Sequence, residues 1–362
     1  MAKMNKSNAK VINDLQNTKD ERKTGDIPPA LTFRHNLSGH KSTIGRMAWS
    51  QNGKFLATPA FDRTIRIWDI GTGQLLKMLK WNPKKEESRN TTKQVKIRKL
   101  WHLENKIYSV SWSPDSRFLA SCMSFGQACI WDVATGNIIH NLEGMTKTAR
   151  SISWSPDGSL VASGDFIPWV WNVGSGLPVE IFKQKKLSYY SINCVSWSPD
   201  GRFLATGGTC IQVLEAHTGQ NIHYLKFNLR APFCCISWSP DSQLLAACGD
   251  ELLVLDTETG QIVRKLEGHT KTISSVSWSS DGRLLVSRSI DGVIRFWRRE
   301  NWTQAYVMDD CPLDTWVPAI AFHPSQPVLA TLNANAKEID IWDVLPHAAI
   351  FPPLIPSGVC FQ

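Results

Sequence analysis

"VSWSPDGRFLATGG", residues 195–208, decides the fold because it recurs. Related stretches are VSWSPDSRFLASCM (110–123), ISWSPDGSLVASGD (152–165), ISWSPDSQLLAACG (236–249), VSWSSDGRLLVSRS (276–289), MAWSQNGKFLATPA (47–60) and IAFHPSQPVLATLN (320–333). The aligned aromatics are Trp49, Trp112, Trp154, Trp197, Trp238, Trp278 and Phe322, spaced by 63, 42, 43, 41, 40 and 44 residues. Seven copies at a period near 42 mark a repeat array. The single long interval contains "WNPKKEESRNTTKQVKIRKLW" (81–101), which has no counterpart elsewhere in the chain.

Each copy parses as four short strands. An alternating run ends on the aromatic, and a Ser-Pro-Asp-Gly turn follows, with Pro and Gly where a type I turn accepts them. A second run such as "RFLAT" leads to a third ending in "IRIWD" (65–69), "CIWD" (129–132) or "DIWD" (340–343). Thr-Gly turns at Thr72-Gly73, Thr135-Gly136, Thr218-Gly219 and Thr259-Gly260 open the fourth. Period-2 runs between turn residues predict antiparallel sheet with almost no helix. A lone four-stranded sheet leaves two apolar faces uncovered, and seven arranged around an axis cover each other. The seventh copy supplies three strands before the Pro-rich "LPHAAIFPPLIPSG", which cannot continue a ladder. "LTFRHNL" (31–37) precedes "SGH" as a fourth strand should. The expectation is a single all-β domain, a seven-bladed propeller of four-stranded antiparallel blades over 31–345. Residues 31–37 close it on blade 7, 81–101 form a basic insertion, and polar (1–30) and Pro-rich (346–362) tails flank it.

With Trp-Asp ending the third strand and Gly-His ahead of the first, residues 31–344 resemble the WD-repeat family. In that family a His, a Ser or Thr, an Asp and the Trp form a hydrogen-bonded set tying loops to strands. The resemblance assigns it to His40, Thr58, Asp62 and Trp68 in blade 1, and to His269, Ser287, Asp291 and Trp297 in blade 6. Buried polar groups need partners, so these sets are structural. Blades 3, 4 and 5 shorten the hairpin between strands two and three by two residues, and blades 4 and 5 end in "VLE" and "VLD". The blend of "SGHKSTIGRMAWS", "VSRSIDGVIRFWRRENW" and "WVPAIAFHPSQPVLATL" resembles bacterial WD-repeat modules, including those joined to Toll/interleukin-receptor-like effector domains. No such domain is read in this sequence, which implies a recognition module whose effector is a separate protein.

The net charge of +8 is local: residues 77–101 carry nine Lys or Arg against Glu86 and Glu87, leaving +1 for the rest. Nine cysteines without a C-x-x-C pair, mostly in apolar runs such as "PFCCISW", read as buried reduced thiols. No apolar run approaches the roughly 18 to 20 residues of a membrane span, and the start lacks a secretory h-region. The expectation is a cytoplasmic protein that does not engage a membrane.

No phosphate-binding loop, nucleophile elbow or H-E-x-x-H helix occurs. The Asp residues at 115, 157, 200, 241 and 281 recur because the turn needs them, and no convergent ligand set is visible. The sequence reads as a non-enzyme without cofactor or metal. The resemblance implies that the loops joining strands four to one, and two to three, share a top face. Aligned there are Tyr108, Arg150 and Asn193 at the channel mouth, Phe61 and Phe125 at the hairpin tips of blades 1 and 2, and Trp169 at the shortened tip of blade 3. Tyr and Arg are typical interface anchors, so a protein or peptide partner is expected over blades 1 to 4. The propeller is then one monomeric unit of a larger complex, a scaffold or sensor. The alternative is nucleic acid or an anionic surface held by Lys84, Lys85, Arg89, Lys93, Lys96, Arg98 and Lys99, with Trp81 and Trp101 stacking on bases. Against it, the charge is confined to one loop, and "KQVKIRKLW" alternates like a solvated hairpin.

Overall fold

A computed structural model describes residues 31–81, 106–182, 191–226, 232–310 and 317–344. The expected tails, Cys311, Cys360 and nearly all of the basic insertion lie outside the described residues. The alternating runs pair into seven antiparallel sheets, six with four strands and one with three. Blade 1 comprises Ala48–Trp49, Phe55–Pro59, Thr64–Asp69 and Leu75–Lys80. Second and third strands are largely buried, whereas the outer strands are mostly exposed, with a buried leucine at or next to the last position in several blades, as at Leu79, Leu142 and Leu266.

The recurring motif has a physical reason at each position. In blade 2 the Ser113 hydroxyl donates to Asp115 Oδ1 (2.6 Å) and accepts from the Phe118 amide (2.9 Å), while the same carboxylate accepts from the Arg117 amide (3.0 Å). The residue after the Asp is left-handed: Gly158, Gly201 and Gly282 have φ of 79°, 74° and 69°. Ser116 and Ser242 adopt the same conformation with a side chain, at 60° and 61°, which costs an L-residue about 1 kcal/mol. The aligned indoles stitch neighbouring blades: Trp112 Nε1 donates to Ala48 O (3.1 Å), Trp238 Nε1 to Ser196 O (3.0 Å) and Trp278 Nε1 to Ser237 O (3.2 Å). The serines of the "SVSW" run do the same, since Ser109 and Ser111 hydroxyls accept from the Ile152 and Trp154 amides of the next blade.

Closure follows the sequence-based expectation. Leu31–Leu37 pairs antiparallel with Ile339–Val344 as the outer strand of blade 7. Leu37 is 1% exposed and packs with Ile44, Leu56, Val328 and Ile341, while Leu31 enters the cluster between blades 6 and 7. Arg34 Nε donates to Asp343 Oδ2 (3.0 Å), and Asn36 Nδ2 to Asp340 Oδ1 (2.8 Å). His323, standing where other copies have the turn Ser, donates from Nε2 to Gly53 O (2.8 Å) and accepts at Nδ1 from the Ser325 and Gln326 amides. Seven hydrophobic clusters each join one blade to the next, and the cluster of blades 7 and 1 completes the ring.

Blade 3 departs from the four-strand pattern. Its sheet holds Ile152–Trp154, Leu160–Gly164 and Pro168–Asn172. Where an outer strand is expected there is one bridge, Trp171 to Pro178, then a 3-10 turn at Glu180–Phe182. Pro178 has no N–H to give a ladder, and after the Val179 amide bonds Val170 O (2.7 Å) the chain turns inward. Phe182 is thereby buried, edge-on to Trp197 of blade 4 at 6.2 Å.

Candidate functional site

The loop face is assembled by the two polar sets. In blade 1, His40 Nε2 lies 2.8 Å from Thr58 Oγ1 and Nδ1 lies 3.0 Å from Asp62 Oδ2, and Trp68 Nε1 donates to Thr58 Oγ1 at 2.8 Å. Asp62 also accepts from the Lys41 amide (2.9 Å), which fastens the loop leading into strand one to the hairpin of strands two and three. Burial would raise the Asp62 pKa, but bonds from His40, Thr64 and the Lys41 amide hold it well below the usual carboxylate range. Blade 6 repeats the arrangement: His269 to Ser287 (2.9 Å) and Asp291 (3.1 Å), Trp297 Nε1 to Ser287 (2.9 Å), and the Thr270 amide to Asp291 (2.9 Å).

Blade 3 reaches the same end without a histidine. Its hairpin is two residues shorter, and Asp165 accepts from the Thr146 (3.1 Å) and Lys147 (3.3 Å) amides as Asp62 does from Lys41. The position of His40 is held by buried Met145, and Trp171 Nε1 donates to Glu143 O (2.9 Å) instead of a hydroxyl. The signal for Asp165 was in the sequence: shortening the hairpin moves the acid from four to two residues after the Ser or Thr.

Phe61 and Tyr108 meet at the seam of blades 1 and 2, ring centroids 5.0 Å apart, and the Phe61 amide donates to Thr43 O (2.9 Å) in the leading loop of its blade. Gly45 makes this approach, because a Cβ there would lie 2.3 Å from Tyr108 O. Phe125 is 39% exposed at φ 62°, its amide 3.3 Å from Thr148 Oγ1. It occupies the position equivalent to Asp62, so blade 2 displays a ring where blade 1 has a cap. Arg150 is exposed two residues beyond Thr148.

Two expected contact residues are not free on this face. Asn193, at the register shift between Ile192 and Cys194, is buried and donates from Nδ2 to Phe233 O (3.3 Å) of the neighbouring blade. Trp169 is half-buried: it stacks on Trp171 at 6.1 Å, donates to Asp165 Oδ1 (3.3 Å) and covers Gly144. Lys84, Lys85, Arg89, Lys93, Lys96, Arg98 and Lys99 lie outside the described residues. Of their flanks, Lys77 donates to Ala134 O and Trp81 is buried edge-on to Trp131 at 6.2 Å.

Sequence reasoning missed two cations. Lys106 Nζ stands 5.4 Å over the Phe61 ring, a cation–π contact that adds positive charge to the aromatic seam. Arg46, on the innermost run of blade 1, crosses the ring to blade 5, where Nη2 donates to Cys234 O (2.9 Å). No local signal announces a contact between residues so distant in sequence. Among the described residues, no group of three or more His, Cys, Asp or Glu side chains is arranged to hold a metal ion. No described helix is long and apolar enough to cross a membrane.

The family model described as "WD domain, G-beta repeat" matches residues 31–69, 181–210, 208–255 and 260–298, and the "Anaphase-promoting complex subunit 4 WD40 domain" model matches 85–157. The chain belongs to the WD40 repeat family. It is 36% identical over 107 residues to the probable cytosolic iron-sulfur protein assembly protein Ciao1 of Culex quinquefasciatus, covering 29% of this chain and 26% of that protein. It is 26% identical over 136 residues to the chromatin assembly factor 1 subunit FAS2 homolog of Oryza sativa subsp. japonica, covering 37% of this chain and 24% of that protein. Against protein HIRA of Dictyostelium discoideum the identity is 29% over 107 residues, 29% of this chain and 8% of that protein. The match thus spans about a quarter or less of the length of these eukaryotic relatives.

Proposed function

We propose that this WD40-repeat chain is a non-enzymatic interaction module, a scaffold or sensor that holds a protein or peptide partner on its loop face. The contact is centred over blades 1 and 2, on Phe61, Lys106, Tyr108, Phe125 and Arg150. The observation that carries the reading is the paired Phe61–Tyr108 seam under Lys106, flanked by the exposed, left-handed Phe125. A non-glycine residue in that conformation costs energy and persists where the surroundings enforce it, often at binding sites. Aromatic anchors with two nearby cations favour an acidic segment that buries one apolar side chain. Trp169 and Asn193 support the face from beneath in this reading. The names of the similar proteins, an assembly protein and a chromatin assembly factor component, agree with work inside a larger complex.

Grip on nucleic acid through the basic segment 77–101 is the weaker reading, because Trp81 and Lys77 are already engaged with blade 2. Its test is a salt titration, since phosphate contacts on duplex DNA give a log–log slope of about −0.9 each. The likeness to bacterial effector-linked modules would make the partner an effector domain on a separate chain. Affinity capture from the native host, comparing wild type with Tyr108→Ala/Arg150→Glu, tests the principal reading. Specific partners should be lost from the double variant, and capture of every partner at wild-type levels would refute it.

A further inference from the structure

Buried thiols converge on Arg46 where it crosses the ring. Arg46 Nη2 donates to Cys234 O (2.9 Å), and Nη1 lies 3.6 Å from Cys235 Sγ. Cys194 and Cys248 also stand within the guanidinium's electrostatic reach. Cys235 and Cys248 are directly opposite in the ladder of Cys235–Trp238 with Leu244–Cys248. Opposed residues in antiparallel sheet have Cα atoms about 4.5 or 5.5 Å apart and side chains on one face, within the range of about 4.4–6.8 Å that a disulfide spans. Cys234 is set apart: its amide bonds Cys248 O (2.9 Å) and its thiol points at Ile273 O (3.0 Å) of blade 6.

We propose that Cys235 is an oxidative modification site, attacked by a small hydroperoxide and resolved by Cys248 as a reversible intramolecular disulfide. The Cys235 thiolate attacks one peroxide oxygen, the O–O bond breaks, and hydroxide leaves to take up a proton. Cys248 then attacks the sulfenic sulfur, the S–S bond forms, and the hydroxyl departs as water with the Cys248 proton. In sum two thiols and one hydrogen peroxide give one disulfide and two waters, and a dithiol reverses the change.

The surroundings select Cys235 among the buried cysteines. The Cys248 thiol donating toward its sulfur holds the Cys235 pKa below the ordinary thiol range; burial opposes this, and the Arg46 charge and Ser275 reinforce it. Burial pushes Cys122 up to about 12 and raises Cys194 and Cys248 well above ordinary values. The charged or titratable groups facing Cys235 are Arg46 from blade 1, Cys194 from blade 4, and Cys234 and Cys248 from its own blade. Cys235 is 3% exposed, so the peroxide reaches its sulfur through local opening of the inner strands.

The full chain is treated with stoichiometric hydrogen peroxide, alkylated, and cleaved at acidic residues, because Asp241 separates Cys235 from Cys248. The expected product is a dithiothreitol-reversible Cys235–Cys248 cross-link two hydrogens lighter than the reduced pair. In Cys248→Ser, Cys235 should instead carry a dimedone-trapped sulfenic acid. Cys235 should oxidise at least ~10-fold faster than Cys122 or Cys194 in the same sample, and in a folded Arg46→Met protein its rate should become steeper with pH between about 6 and 8, as the thiol moves toward an ordinary one. In wild type, independent of that variant's folding, the Cys235 rate should change less than about 3-fold between pH 6 and 8, where an ordinary thiol changes nearly tenfold per pH unit. Equal oxidation of all buried cysteines, linkage through Cys234, or an ordinary thiol pH profile would overturn the assignment.

Discussion

Leu37→Ala tests closure of the ring where sequence distance is greatest. Leu37 precedes the first repeat, yet is 1% exposed in the cluster uniting blade 7 with blade 1. It performs the task of Leu266, the buried last leucine of the blade 5 outer strand. Truncating a sealed leucine costs about 2–5 kcal/mol, because lost transfer energy adds to the cavity left behind. Walls from two sheets resist collapse, so about 3 kcal/mol is expected for each leucine. At roughly 2 °C per kcal/mol in a large domain, this is a Tm loss of about 6 °C. Leu76 on the blade 1 outer strand is 54% exposed, and Leu76→Ala should change stability by no more than about 0.5 kcal/mol. The assay is thermal melting followed by circular dichroism for the three variants. Equal large losses for Leu37→Ala and Leu266→Ala support the closed ring; a Leu37→Ala protein melting like Leu76→Ala would refute it.

Stability should fall as pH drops from 7.5 to 5.5. Burial lowers the pKa of His269 and His323, so the unfolded chain binds protons at its ordinary value near 6.5 while the folded chain does not. Their contribution is complete above that value and is lost on acidification; a pH-independent melting midpoint across this interval contradicts it. Ser287→Ala leaves His269 Nε2 and Trp297 Nε1 without their shared hydroxyl and should cost about 2–3 kcal/mol in urea denaturation. Ser116→Gly relieves a left-handed serine and should add about 0.5–1 kcal/mol in the same assay.

Much of the ring was legible because its determinants are local and repeated. Trp, Ser, Asp and Gly recur at fixed offsets since each is spent within one blade or on the adjoining one, as in the Ser113–Asp115 turn and the Trp112–Ala48 stitch. The same logic exposed 31–37 as the missing strand, while the family resemblance singled out His40 and His269 from nine histidines. Alignment could not resolve which way a side chain turns once the register is set. Asn193 and Tyr108 are equivalent by position, yet one amide is consumed by Phe233 O while the other ring leans on Phe61. Pro178 cuts short a strand that the Gly176 turn begins, which period alone does not reveal. Arg46 and its thiols meet across the ring, beyond the reach of any local pattern.

The most direct test of the interaction face is site-specific photo-crosslinking in the native host. Benzoylphenylalanine is placed at Tyr108, at Phe125, or at Ile262, an exposed outer-strand residue of blade 5. The account predicts that the same partner is captured from Tyr108 and Phe125 and not from Ile262. Capture from Ile262, with none from the two loop-face positions, would contradict it.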